Sequence, residues 1–194
     1  FWEHFGSSKA SFTLAWDGMY IYTGTPGGLL RWTLAPFGEN PSYYKLNMLN
    51  GLPQPSVTAL ALTITSSSLM WGGTSHNQMA RGVFSFDLNS NSFKSYSTID
   101  GLANNMISNN AISISGDGRI WFGTYGSGLS VFNPSNKSWT TYNTGNSGIA
   151  GNNVKSIEFD DSGNAWIGTA SGLSKFDGSI WTTFNTGNSG LVNN

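Results

Sequence analysis

Apolar runs of four to six residues, each closed by glycine, serine, asparagine or aspartate, recur through most of this chain. In NAWIGTASGLSKFDGSIWTTF, residues 164–184, the runs AWIG and LSKF flank the small-residue turn Thr169-Ala170-Ser171-Gly172. Asp177-Gly178-Ser179 then leads into WTTF. Runs this short, rich in aromatic and β-branched residues and bounded by turn formers, predict consecutive antiparallel strands. The unit recurs as RIWFGTYGSGLSVFNPSNKSWTTY from Arg119 to Tyr142, more loosely from Leu69 to Tyr96, and most loosely around Tyr22-Thr23-Gly24-Thr25. No window sustains a helical period, because Gly, Asn or Pro interrupts every candidate before three turns.

The Gly-Thr pairs at Gly24, Gly73, Gly123 and Gly168 are spaced 49, 50 and 45 residues apart, a repeat length that suits one propeller blade per unit. Each unit holds four strand candidates. The predicted fold is therefore all-β: a β-propeller of four-stranded antiparallel blades, as an incomplete segment of a larger propeller. A β-sandwich is the alternative, and near-constant four-strand units argue against it. Blades are expected at about 10–48, 54–97, 107–143 and 153–185, preceded by an orphan outer strand at 1–6. Val57–Leu62, Ala111–Ile114 and Val154–Ile157 are expected innermost. The orphan strand, Trp2 to Phe5, reads like a fourth strand without partners. The last unit already owns Ile180–Phe184, so the orphan should not complete it and an open arc is expected. The start at Phe1, with no Met and no leader, reads as a segment of something longer.

Turn chemistry accounts for most acidic residues. Asp17, Asp87, Asp117, Asp160, Asp161 and Asp177 fall at predicted turns, where Asp bonds its own backbone and Gly supplies positive φ. Trp71, Trp121 and Trp166, with Tyr22 in the first unit, recur where blades must pack on one another. Phe93, Trp139, Trp181 and Tyr43 recur on the fourth strand.

Charged residues form only 10% of the chain, and the net charge of −1 comes from singly scattered groups. With no basic stripe to neutralise phosphates, nucleic acid is not an expected partner. No apolar run approaches the roughly 20 residues a membrane helix needs, so no membrane insertion is expected. The absence of cysteine excludes disulfides and thiolate chemistry without fixing a compartment. Low charge with abundant Ser, Thr, Asn and Gly leans towards an extracytoplasmic location, periplasmic, secreted or at the cell surface.

These residues resemble the two-component regulator propeller repeat: an apolar first strand, an Asp-Gly-Asn turn, Trp-x-Gly-Thr, then Gly-Leu-x-x-Phe-Asp. VKSIEFDDSGNAWIGTASGLSKFD, residues 154–177, follows that pattern nearly throughout, and AISISGDGRIWFGTYGSGLSVFN, residues 111–133, follows it well. The second unit keeps Trp71, Gly73, Thr74, Gly82, Phe86 and Asp87 around an insertion. The first has Tyr22 and Trp32 in place of the usual Trp and Phe. The resemblance implies a β-propeller, often seven-bladed and frequently the extracytoplasmic sensor part of bacterial histidine kinases; other members are secreted or surface proteins.

Catalysis needs positioned acids, bases or nucleophiles. No carboxylate spacing suggests a glycosidase pair, and the two histidines, His4 and His76, lie far apart, so no enzyme, metal or cofactor is expected. The informative departure is a loop. Seven residues, Ser75 to Arg81, separate Thr74 from Gly82, against three and two in the later units. Blade packing does not need the His, two amides and Arg they carry, and loops on a rigid scaffold are where propellers bind. The candidate binding residues are His76, Asn77, Gln78, Arg81 and Tyr125, beside the linkers around Asn50 and Asn104. Two readings follow. One is a module that binds a carbohydrate, peptide or protein, as in the sensor part of a two-component regulator. The other is a structural or surface scaffold whose partners are further blades or subunits.

Overall fold

A computed structural model describes residues 13–33, 42–54, 56–63, 68–74 and 81–193. The strands are β1 (Thr13–Trp16), β2 (Tyr20–Thr25), β3 (Gly28–Thr33), β4 (Tyr43–Leu46), β5 (Val57–Thr63), β6 (Leu69–Thr74), β7 (Val83–Asp87) and β8 (Ser92–Tyr96). They continue as β9 (Ile107–Ile114), β10 (Ile120–Thr124), β11 (Leu129–Asn133), β12 (Ser138–Tyr142), β13 (Val154–Phe159), β14 (Ala165–Thr169), β15 (Gly172–Phe176) and β16 (Trp181–Phe184). Consecutive groups of four form four separate antiparallel sheets in simple up-down order. The first strands stand side by side in the order β1, β5, β9, β13, so the blades fan out from them as an open, incomplete propeller. No described helix is long and apolar enough to cross a membrane. The orphan strand expected at Trp2 to Phe5 lies outside the described residues.

The Gly-Thr pair has two separate physical duties. The threonine hydroxyls of Thr25, Thr74, Thr124 and Thr169 each donate to the carbonyl of the glycine opening the third strand, at 2.9, 2.8, 2.7 and 2.8 Å. This closes the loop between second and third strands without solvent. The glycine is the point where the next blade presses in. A Cβ on Gly73 would stand 2.6 Å from Ile107 Cγ2, and one on Gly123 would stand 2.6 Å from Val154 Cγ1. The sequence thus spends its smallest residue on the second strand, where the first strand of the next blade lies against it.

Three apolar clusters fill the joints between the four blades. Tyr22, Leu29, Leu46 and Leu52 pack on Val57, Leu60, Phe84 and Phe86 of the second blade. Trp71, Val83 and Leu102 meet Ile107, Ile112, Phe122 and Phe132 of the third. Trp121, Leu129 and Ile149 meet Val154, Ile157 and Ile167 of the fourth. The ring centroids of Trp71 lie 5.8 and 5.3 Å from those of Phe122 and Phe132, and Trp121 meets Phe159 and Phe176 at 5.4 and 6.2 Å. Each blade therefore presents one large ring forward to its successor, as the recurrence of Trp predicts.

One expectation needs adjusting. The strand expected at Ala111–Ile114 begins at Ile107, and Asn109 and Asn110 sit inside β9 beside a shift in register. Asn110 takes a left-handed φ of 57° there, which Asn tolerates better than most residues. The same shift occurs between Val57 and Ala59 and between Val154 and Ser156, so each of these first strands carries a bulge at its start.

The turn from first to second strand shows how one blade is better finished than another. In the fourth blade Asp160 Oδ2 accepts from the Trp166 indole at 2.9 Å, and its carboxylate also accepts from the Asn164 amide. Those bonds, the Asn164 amide first, hold its pKa down to about 2. In the first blade the Tyr22 hydroxyl donates to Asp17 Oδ2 at 3.0 Å. The third blade has Ser115 at this place, on a turn of the same length and backbone bonding, and the buried Trp121 Nε1 finds no acceptor. Ser115→Asp, made together with Asp117→Ser because Ser115 Oγ now donates to the Asp117 carboxylate and two carboxylates there would repel, should therefore stabilise the protein by about 1 kcal/mol. The gain should be present above the ordinary Asp range near 4 and lost as pH falls through the new carboxylate's lowered value. Urea melts at pH 7 and pH 2.5 check this; a gain equal at both pH values would assign it to something other than the carboxylate.

Candidate functional site

The loop face forms where the loops between second and third strands meet the linkers between blades. Gly82 and Gly128 donate through their N–H groups to the carbonyls of Asn105 and Asn152, at 3.1 and 2.8 Å. Tyr125 N donates to Met106 O and Ala170 N to Asn153 O, each at 3.0 Å. The loops of the second and third blades are thereby tied to the linkers that enter the following blades, and those of the third and fourth to the linkers that enter their own, which fixes the three loops as one surface.

Arg81 and Tyr125 are the sequence-predicted site residues that lie within the described part; His76, Asn77 and Gln78 lie outside it. Arg81 is exposed. Its backbone N–H, not its guanidinium, does the structural work, donating to Gln54 Oε1 at 3.1 Å and Thr74 Oγ1 at 3.3 Å. The side chain is left at the surface of the loop.

Tyr125 has companions that sequence reasoning missed. Its ring is 54% exposed, and the Lys155 ammonium stands 5.3 Å from the ring centroid. Asn104 donates from Nδ2 to Tyr125 O and to Ser127 Oγ, both at 3.1 Å. Asn153 pairs with Tyr125 across an isolated bridge, and its buried Oδ1 has no partner. Lys155 arrives here because it is the extra residue of the β13 bulge: Val154 pairs with Thr169 and Ser156 with Gly168, leaving Lys155 unpaired. A bulge re-aims its side chain out of the pleat, here over the tyrosine. The corresponding Thr58 in the second blade carries no charge. Asn50, expected near this face, bonds instead with the Tyr44 hydroxyl and the backbone N–H of Asn47.

The face offers an aromatic surface, a cation and amide groups. Aspartates elsewhere are committed to turns. Asp177 is held below its ordinary pKa by the backbone N–H groups of Ile180 and Ser179, and Asp87 by those of Ser90 and Asn89. Carboxylates kept ionised this way are poor general acids. Among the described residues no group of three or more His, Asp or Glu gathers where it could hold a metal ion.

Comparison with known proteins agrees with the repeat reading. The family model described as two component regulator propeller matches residues 101–126 and 148–171. Histidine kinase P4 of Formosa agariphila is 30% identical over 159 residues, covering 79% of this chain and 11% of the relative. Among solved structures, the extracellular domain of a hybrid two component system from Bacteroides thetaiotaomicron superposes with a TM-score of 0.71 at 24% identity, over 94% of this chain and 25% of that one. Virginiamycin B lyase from Staphylococcus aureus, an enzyme, superposes with a TM-score of 0.65 at 13% identity, over 92% of this chain and 56% of that one. These likenesses establish the propeller fold. The chain spans about a tenth of the curated relative and a quarter of the Bacteroides chain.

Proposed function

We propose that this chain, built of two-component regulator propeller repeats, is a non-catalytic extracytoplasmic module that binds a carbohydrate, peptide or protein at its loop face, as the sensing part of a two-component regulator. The observation that carries the reading is Tyr125, half-exposed on a rigid blade with Lys155 and Asn104 around it. An exposed ring flanked by a cation and an amide suits sugar rings, acidic groups or peptide carbonyls. The similarity to a histidine kinase and to an extracellular domain of a hybrid two component system supports the sensor assignment and the location. A scaffold role is the second reading, favoured by large apolar residues left bare on the first blade.

The test is a binding screen against acidic and neutral oligosaccharides and peptides, read by calorimetry on the wild type and two variants. In Tyr125→Ala/Lys155→Ala, affinity for the bound class should fall by roughly 1–3 kcal/mol as a charge-assisted contact is lost. Arg81→Ala should weaken it less and leave the melting temperature unchanged, because both Arg81 hydrogen bonds come from its backbone. Binding that survives both variants would place the site elsewhere.

A further inference from the structure

Resting on the binding reading above, we infer that the loop face takes an acidic sugar chain. Its carboxylate or sulfate groups meet Lys155 and are drawn in by Lys45 and Arg81, and a sugar ring lies on Tyr125.

Charges that are scattered in the sequence are sorted by the up-down order of the strands. Turns from first to second strand, and from third to fourth, all lie at the end opposite the loop face. Among the described residues that end holds Asp17, Asp87, Asp117, Asp160, Asp161 and Asp177, against Arg119 and Lys137. The loop face holds Lys45, Arg81 and Lys155, all exposed, against Asp100. Lys45 belongs here because β4 ends beside the first loop, where a Cβ on Gly27 would stand 3.4 Å from the Lys45 ammonium. Asp100 is already spent, its Oδ2 accepting from Ser97 N at 2.8 Å and from Ser97 Oγ at 3.2 Å. The one ion pair among the described residues joins Arg119 to Asp117 at the far end, 3.2 Å apart. The three loop-face cations have no carboxylate partner among those residues. A chain of net charge −1 thus turns a positive end outwards, and such a field gathers anions.

The groups around Tyr125 select an anion over a neutral sugar. Asn104 gives its amide hydrogens to Tyr125 O and Ser127 Oγ, and its Oδ1 accepts from Met106 N at 2.9 Å. The Lys155 ammonium, 5.3 Å from the ring centroid, is the free donor left beside that ring. A neutral sugar would cover the ring and leave the ammonium without a charged acceptor. A uronate or a sulfated sugar uses both.

Main-chain chemistry disfavours a peptide. Extended peptides bind largely through backbone hydrogen bonds. Here the N–H groups of Gly82, Tyr125, Gly128 and Ala170 are committed to linker carbonyls, and that of Arg81 to Gln54 and Thr74. Recognition falls to a ring and to cationic side-chain ends, which suits a sugar ring with a charged substituent.

The experiment is calorimetry on the 194-residue chain with a short oligogalacturonate, its neutral methyl ester, a sulfated dextran oligosaccharide and oligoglutamate. The acidic sugars should bind roughly tenfold more tightly than the ester in dilute buffer, and the gap should close as salt rises. Lys155→Gln should remove roughly five- to tenfold of that affinity, the worth of one exposed charge-assisted bond. The same change should leave ester binding unaltered, and Lys155→Arg should retain the acidic preference. Lys45→Gln with Arg81→Gln should flatten the salt dependence, whereas Lys137→Gln at the far end should change nothing. Preference between the two acidic sugars tells carboxylate from sulfate, and either one upholds the inference. An ester that binds as tightly as the acids, and is lost in Tyr125→Ala, would leave the binding module standing and overturn its acidic ligand. Oligoglutamate binding more tightly than both acidic sugars would make the ligand a peptide and overturn it as well. No binding by any probe, or binding indifferent to Tyr125→Ala, would bring down both readings.

Discussion

Gly123→Ala should destabilise the protein by about 2–3 kcal/mol, the cost of forcing a methyl into a closed joint, and lower its melting temperature by roughly 5–10 °C. The new Cβ would stand 2.6 Å from Val154 Cγ1, 2.7 Å from Ala111 Cβ and 3.1 Å from Val154 Cβ. All three belong to the inner strands β9 and β13, which pack against each other and against β10, so no single side chain can turn away. Backbone strain contributes nothing, because Gly123 is not among the glycines with positive φ. The internal control is Gly168→Ala at the same place in the repeat. There the nearest atom is Ser156 Oγ at 2.6 Å, which a change of rotamer removes, and the loss of glycine's chain entropy offsets what remains. Thermal melts of the two variants should differ by several degrees. Equal losses would mean that the glycine is needed for the strand itself and not for the neighbouring blade.

The contrast between those glycines marks what the sequence could and could not disclose. Gly-Thr recurs at a near-constant spacing, so the blade was readable from that spacing and its strand count from the short apolar runs between turns. The aromatic positions were readable as packing positions for the same reason. The pattern could not show which ring each blade receives. That depends on a neighbour, and Trp166, at the same place in the repeat as Trp121, ends half-buried because nothing described stands before it. Of the proposed site, Tyr125 was named as a candidate from the sequence. Lys155 was not, because its direction is set by a bulge, and a bulge is a property of register between two strands that no single strand's alternation records. The start of β9 was missed for the same cause: the strand runs back to Ile107 through the bulge that holds Asn109 and Asn110.

Compensation between neighbouring strands was hidden as well, and it sets the second large effect. In the third and fourth blades the second strand carries the large side chain and the third strand a serine across from it: Phe122 with Ser130, Ile167 with Ser174. The second blade reverses the sizes, pairing Gly72 with Phe84, and the Phe84 ring lies over the Gly72 Cα, where any Cβ would overlap it. Gly72→Phe alone should therefore cost about 3 kcal/mol or more, since two rings would compete for one space. Phe84→Ser alone should cost about 3–5 kcal/mol for the emptied volume, and its hydroxyl would have no linker donor because Pro53 has no N–H. Combined, the two changes rebuild the arrangement of the third blade, and the double variant should recover about 3 kcal/mol relative to the sum of the singles. Adding Pro53→Ala supplies the missing donor and should return about 1 kcal/mol more, as Ala103 does for Ser130 at 2.9 Å. Urea denaturation of the four variants measures each step. Losses that simply add would show that the joint between the first and second blades accepts a ring only from β7, and that the repeats are not interchangeable at this position.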